Sequence, residues 1–253
     1  MPQATGFAVL LTATINPGLY STAVFRNNPS LRTEDYVTSL TFWENLHDER
    51  IKTVIFCDNS GSNIDAIKEL CRSFSMPIEF LVFDGNTKPS GVHYGYSELG
   101  ILDHVVSNST TINSFTHFIK ATGRLTYPNI SRLLDTLPEN FDAAVDHRKA
   151  YKNEDGHFLR ARTQLMIFSL SFYKMNLLQR RREMLGNFSH IEEFVAAKLA
   201  TLEVTSKIIR RFAVELFISG QSGHKNNSYN SLRNRLKFNL RRIARVIIPD
   251  VWL

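Results

Sequence analysis

The chain is short of the residues that staple or metallate small domains. Only two cysteines, Cys57 and Cys71, occur among 253 residues. That is too few for a disulfide framework or a four-cysteine zinc site, and both are expected as buried thiols in a reducing compartment. No apolar run reaches the roughly 18 residues of a membrane-spanning helix. Met1 to Ala13 is apolar but lacks the basic start and small-residue cleavage site of an export signal. Glycine-rich phosphate loops are missing too. No Gly-x-Gly-x-x-Gly follows the first apolar run, and no P-loop signature occurs, which argues against a dinucleotide oxidoreductase and a P-loop NTPase. No Gly-x-Ser-x-Gly marks a hydrolase nucleophile. The eight histidines show no metal-ligand spacing and are expected on the surface or at helix caps.

Positive charge is present, but in one place. Residues 221–253 hold Lys225, Arg233, Arg235, Lys237, Arg241, Arg242 and Arg245 against the single anion Asp250, so this stretch carries the whole formal charge of +6. A nucleic-acid-binding domain more often spreads cations over its folded surface. Leu232, Leu236, Leu240, Ile243 and Ile247 recur at helical spacing and form one apolar stripe with the cations mostly elsewhere around the helix. Pro249 ends it, and Trp252 suits a membrane interface. The segment reads as a basic amphipathic helix for an anionic bilayer surface, with Arg233, Arg241, Arg242, Arg245 and Trp252 as its contacts. The alternative is a helix packed on its own domain. Gly220 to Ser228 is the one clear linker, so residues 1–220 are expected as one folded domain and 221–253 as linker and helix.

Short apolar runs alternate with helical segments through the first 125 residues. Phe7–Ala13, Thr53–Cys57, Ile78–Phe83 and Phe115–Ala121 read as buried strands. Helices are expected from Thr33, which offers an N-cap before Glu34 and Asp35, and over 64–74 and 96–107. Further on, 141–145 reads as a short strand, 165–184 as a strand edge and then a long helix. Ser189 to Glu192 reads as a capping box. This order predicts an α/β fold: a Rossmann-like, mostly parallel sheet with flanking helices, plus the C-terminal basic helix.

Such sheets bind ligands at the carboxyl ends of their strands. The polar residues there are Thr12, Thr14 and Asn16 after the first strand, and Asp58, Asn59 and Ser60 after the second. Asp84 follows the third, and Lys120, Thr122 and Arg124 end the fourth. Asp58 and Asn59 can hydrogen-bond a ribose or base edge, while Lys120 and Arg124 can neutralise phosphate, which suits a nucleotide diphosphate. Arg26 and Arg32 follow the first strand and can reach a phosphate or an acidic acceptor.

The order of these pieces resembles the nucleotide-sugar glycosyltransferases of the GT-A fold, most closely small bacterial enzymes that build lipopolysaccharide or capsule glycans. The resemblance is carried by Thr12-Ala-Thr-Ile15, Ile55-Phe-Cys-Asp-Asn-Ser-Gly61, Tyr94-Gly-Tyr-Ser-Glu98, Phe118-Ile-Lys-Ala-Thr-Gly-Arg124 and Asp146-His-Arg148, over roughly residues 6 to 202. It implies transfer of a sugar from a nucleotide-sugar to a hydroxyl of a cell-surface glycan or glycolipid. The enzyme would be cytoplasmic and peripheral on the inner face of the cytoplasmic membrane. Families of this fold usually end the fourth strand with a metal-binding Asp-x-Asp; here Lys120 and Arg124 occupy that place. Cations cannot bind Mg²⁺ or Mn²⁺ but can stabilise a departing nucleotide. Transfer is therefore expected without a divalent metal, and with no cofactor beyond the donor. Thr12, Thr14, Asp58, Asn59, Glu98, Lys120 and Arg124 are the expected donor contacts, and Arg26, Asp146 and Arg148 face donor or acceptor. Glu192 is the expected catalytic base. A metal on Asp142 or Asp146 is the competing arrangement. The competing function is a non-catalytic basic adaptor for membrane or nucleic acid.

Overall fold

The computed structural model describes residues 4–18, 24–153, 156–223 and 228–248. The apolar run at the N-terminus forms β1 (Ala4–Ala13), which leads through α1 (Pro29–Glu44) to β2 (Ile51–Asp58), α2 (Asp65–Leu70), β3 (Ile78–Val82), α3 (Gly95–Asn108) and β4 (Phe115–Thr122). After β5 (Leu125–Thr126) and α4 (Ile130–Leu134) comes the long hairpin of β6 (Ala143–Asn153) and β7 (Gly156–Ser169). Then follow α5 (Leu170–Asn176), α6 (Ile191–Leu202), β8 (Ile208–Ile209), β9 (Ser219–Gly220) and α7 (Leu232–Ile247).

The main sheet has the order β3-β2-β1-β4-β7-β6-β8. Strands β1 to β4 are mutually parallel; β7 is antiparallel to β4 and to β6, and β8 is parallel to β6. This is the expected mostly parallel α/β sheet. Strands buried on both faces read as continuous apolar runs. Along β1, Ala8 and Leu10 pack beneath α3, α5 and α6, while Val9 and Leu11 pack beneath α1 and α4. Both cysteines are buried free thiols, and burial pushes Cys71 up to about 11.

Three boundaries differ from expectation for local reasons. Helix α1 starts at Pro29, not Thr33: Asn28 Oδ1 accepts the Ser30 and Leu31 amides at 2.9 and 3.2 Å, and proline fills the first helical position. The long helix expected through 184 is split. Ser169 caps α5, and Gln179 at φ 60° ends the helical path before a short 3₁₀ turn over Arg180–Met184. The strand expected over 141–145 is the first part of the longer β6.

Helix α7 forms where the sequence predicts it, with Ser231 as its N-cap. It is docked through its cations. Arg245 lies 2.8 and 2.7 Å from the two Asp146 oxygens and donates to Glu215 Oε2 at 2.8 Å. Phe238 meets Phe217 edge-on. The apolar stripe faces outward, from 50% exposed at Ile243 to 85% at Leu232. Arg245 and half-buried Arg241 therefore point at the domain and are not surface contacts as expected, whereas Arg233, Arg235, Lys237 and Arg242 are exposed. Pro249 and Trp252 lie outside the described residues.

Candidate functional site

The chain leaves β1 in one direction to build β2 and β3 and returns on the other side with β4. Such a reversal opens a crevice at the carboxyl ends of the strands. A cavity of about 180 Å³ lies there. Its walls come from strand ends and helices: Thr12 at the end of β1 and Thr14 after it, Asn59 after β2, Lys88 in place of the expected Asp84 after β3, Glu98 within α3, Thr122 and Arg124 at the end of β4, and Glu192 in α6.

Two tight contacts shape this rim. The Gly123 amide donates to Thr12 O at 3.0 Å, and a Cβ at Gly123 would meet that oxygen at 2.8 Å. Only glycine lets the turn carrying Arg124 close onto β1. Similarly, a Cβ at Gly95 would lie 2.4 Å from Ile191 Cβ, so glycine brings the start of α3 against the start of α6.

Lys120 is not on the wall. Its side chain is fully buried, with Nζ 2.5 Å from Glu98 Oε1 and further bonds to Thr163 O and Thr122 Oγ1. An ammonium has three donors, and all are taken. Lys120 reaches a ligand only through Glu98, which also accepts from the Thr12 hydroxyl at 3.3 Å. Direct phosphate contact by Lys120 is thus corrected to a positioning role.

Arg124 does face the cavity. Its guanidinium donates to Gln221 O at 3.1 Å and pairs with no carboxylate among the described residues. Burial pulls it below the ordinary guanidinium range, and nearby Arg32 adds to that pull. Arg32 belongs to α1, not a loop. It donates to Thr14 O at 2.5 Å, Arg26 O at 2.9 Å and Tyr36 Oη at 3.1 Å, and it too pairs with no carboxylate among the described residues. Arg26 itself is tied to Asp35 at 2.8 Å and braces Arg32 from outside the cavity. Lys88, in the loop after β3, adds a third cation, its Nζ bonded to Val92 O. The cleft thus holds surplus positive charge that an anion would satisfy.

Asp58 and Asn59 divide the roles expected of both. Asp58 is fully buried and holds the turn: it accepts from the Ile15 amide at 2.6 Å, the Ser60 amide at 2.9 Å and the Ser60 hydroxyl at 2.7 Å. It does not line the cavity, so its expected ribose contact is corrected. Asn59 does line it, taking the Thr14 hydroxyl on Oδ1 at 2.7 Å, with buried Nδ2 unpaired.

Asp146 and Arg148, expected at donor or acceptor, belong to the buried ion cluster under α7. Burial works to raise Asp146, but Arg162, Arg245 and Arg148 hold it below the ordinary carboxylate range, and burial beside Arg162 draws Arg148 down to about 10. With its oxygens taken by arginine, Asp146 offers nothing to a metal; Asp142 Oδ2 accepts the Lys207 amide at 2.8 Å, away from the cavity.

Glu192 also lines the cavity. The capping task expected of it falls to Glu193, whose Oε2 accepts the Ser189 amide at 3.1 Å. Glu192 Oε2 is buried without a hydrogen-bond partner. Burial and the like charge of Glu98 raise its pKa above the ordinary carboxylate range. His93, His190 and Glu192 bring ligand-capable atoms within 4.8 Å of one another, so two histidines expected at surface or caps meet at a cavity-lining carboxylate. Tyr94, which opens the Tyr94–Glu98 segment, also lines the cavity, as do Lys88, Gln164 and Tyr229, which the sequence alone does not mark; for Lys88, its place after the third strand is the available signal.

No protein-family model matches the chain, and no curated protein is similar to it. Solved structures are distantly similar to it at low identity. The 4-diphosphocytidyl-2C-methyl-D-erythritol synthase of Anaerococcus prevotii is 9% identical at TM-score 0.49, over 94% of this chain and 96% of that one. Core-mannan synthase A of Aspergillus fumigatus, in its Mn/GDP form, is 8% identical at 0.49, over 83% and 71%. The inositol-1-phosphate CTP transferase of T. maritima is 12% identical at 0.48, over 96% and 98%.

Proposed function

We propose that the protein is a glycosyltransferase that moves a sugar from a nucleotide-sugar to a hydroxyl of a glycan or glycolipid. The reading rests on one observation: Arg32 and Arg124 converge on the cavity and neither is paired with a carboxylate among the described residues. Their planar forks suit the donor phosphates, and Asn59 and Thr14 suit its ribose or base edge. The acceptor oxygen bonds to the anomeric carbon as the bond from that carbon to phosphate oxygen breaks. The nucleotide leaves with the electron pair, its charge met by the two guanidiniums in place of a metal. Glu192, which lines the same cavity, takes the acceptor proton. Glu98, held by Lys120 and Thr12, orients donor hydroxyls. A purely non-catalytic adaptor leaves this cavity and its charge separation without a use.

The test is thermal-shift screening with UDP-, GDP-, CMP- and dTDP-sugars. One nucleotide class should raise the melting temperature, equally with and without EDTA. Glu192→Gln should keep that shift and lose transfer by about 10²-fold or more. No shift with any nucleotide-sugar, or a shift that EDTA abolishes, defeats the reading.

The same reading places the protein at an anionic membrane surface through α7, as expected for an enzyme of lipopolysaccharide or capsule glycans. No helix among the described residues is long and apolar enough to cross a membrane. The docked helix instead turns its apolar stripe outward, flanked by the exposed cations Arg233, Arg235, Lys237 and Arg242. Each cation near such a surface contributes about 1 kcal/mol. The protein should sediment with phosphatidylserine vesicles but not phosphatidylcholine vesicles, and less in high salt. Leu236→Glu with Leu240→Glu should cut binding at least about tenfold by placing charge in the apolar face. Equal sedimentation of this variant would refute the contact.

A further inference from the structure

We propose that His93, His190 and Glu192 form a site for a divalent transition-metal ion of the zinc type at the edge of the cleft. The three side chains come from two segments nearly a hundred positions apart in sequence. The close Gly95–Ile191 contact brings those segments together. The imidazole rings of His93 and His190 meet edge-on, with centroids 4.4 Å apart, and the ligand-capable atoms of all three residues lie within 4.8 Å of one another. Around a tetrahedral zinc with bonds near 2.1 Å, ligand atoms sit about 3.4 Å apart, so small side-chain rotations close the set.

A second observation points to a ligand at the same place. Glu192 Oε2 is buried and accepts no hydrogen bond. A buried carboxylate oxygen without a partner is costly, and an ion would satisfy it. It would also offset the like charges of Glu98 and Glu192. Binding through His93 Nε2 moves the ring proton to Nδ1 and gives up the 3.2 Å bond that Nδ1 accepts from the Gly95 amide.

The donor set selects the metal. Two imidazoles and one carboxylate suit Zn²⁺, Co²⁺, Fe²⁺ or Mn²⁺, whereas Mg²⁺ and Ca²⁺ prefer oxygen throughout. Three protein ligands leave a coordination position open, and Glu192 lines the cavity, so a ligand in the cleft can take that position. Glu192 lines the same cavity as Arg32 and Arg124. The site shares Glu192 with the transfer reading, so an ion held there withdraws the acceptor base, while donor binding at Arg32 and Arg124 needs no metal.

The experiment uses the full chain, stripped with chelator and titrated with Co²⁺ alone while visible absorption is followed. One equivalent should give the intense bands of a low-coordinate Co²⁺ site; Zn²⁺ should abolish them and Mg²⁺ should not. His93→Ala and His190→Ala should each weaken binding at least about tenfold. His93→Asn and His190→Asn serve wherever alanine lowers the melting temperature. Absence of the bands in the wild-type chain, or bands unchanged when both histidines are replaced, overturns the site. A chain that binds Co²⁺ but no nucleotide-sugar separates failure of the transfer reading from failure of this one.

Discussion

Replacing Lys120 with methionine should destabilise the protein by about 3–5 kcal/mol, the usual cost of removing one member of a buried ion pair. The side chain of Lys120 has no exposure, and it sits 2.5 Å from a Glu98 oxygen that is mostly shielded from water. Without the ammonium, Glu98 keeps only the Thr12 hydroxyl, and the Thr163 carbonyl loses its charged donor. Methionine fills much of the volume, so the loss reports charge and hydrogen bonding more than cavity formation. Adding Glu98→Gln should recover part of the loss, because it removes the stranded charge; non-additivity of the two changes measures the pair. Urea unfolding followed by tryptophan fluorescence reads all three variants. A loss below about 1 kcal/mol for Lys120→Met would place this lysine in the range of solvated surface pairs instead.

Much of this architecture could be read from the amino acids, because two-sided burial leaves a plain signature. The first four strands stand out as Val-, Ile- and Phe-rich runs, and each is found within a few residues of its expected position. The rule that ligands meet strand ends then located the cleft: Thr12, Thr14, Asn59 and Arg124 all line it. The same rule could not tell which strand-end side chains face the ligand. Asp58 and Asn59 are adjacent and each can hydrogen-bond a ribose or base edge, yet Asp58 turns inward to the Ile15 and Ser60 amides while Asn59 faces the cavity. Lys120 looked like a phosphate contact only because Glu98, which neutralises it, arrives from the preceding helix. Asp146, Arg148 and Arg245 were assigned outward roles for a similar reason. Arg245 meets Asp146 across 99 positions and Arg148 meets Glu215 across 67, contacts that only the tertiary fold makes. The meeting of His93 with His190 is equally invisible to local spacing. Helix α7 shows the opposite case: its stripe is evident from periodicity, but the face that docks is the cationic one.

The central claim is that two fixed guanidiniums receive the phosphates of an activated sugar. Arg124 is held over the cleft by the Gly123 turn and anchored through one nitrogen to Gln221 O. Arg32 is aimed by Thr14, Tyr36 and the carbonyl of Arg26. Hydrogen bonds to charged groups contribute about 1.5–3 kcal/mol each, so loss of either arginine should weaken binding by about 10- to 100-fold. Lysine at position 124 restores the charge without the planar fork and should fall between wild type and alanine. The decisive measurement is calorimetric titration of the wild-type chain, Arg32→Ala, Arg124→Ala and Arg124→Lys with the nucleotide-sugar that raises the melting temperature, in the presence of EDTA. The predicted result is tight wild-type binding that drops by at least about tenfold in each alanine variant while the fold remains intact. Affinity within about twofold of wild type in Arg124→Ala would contradict the claim.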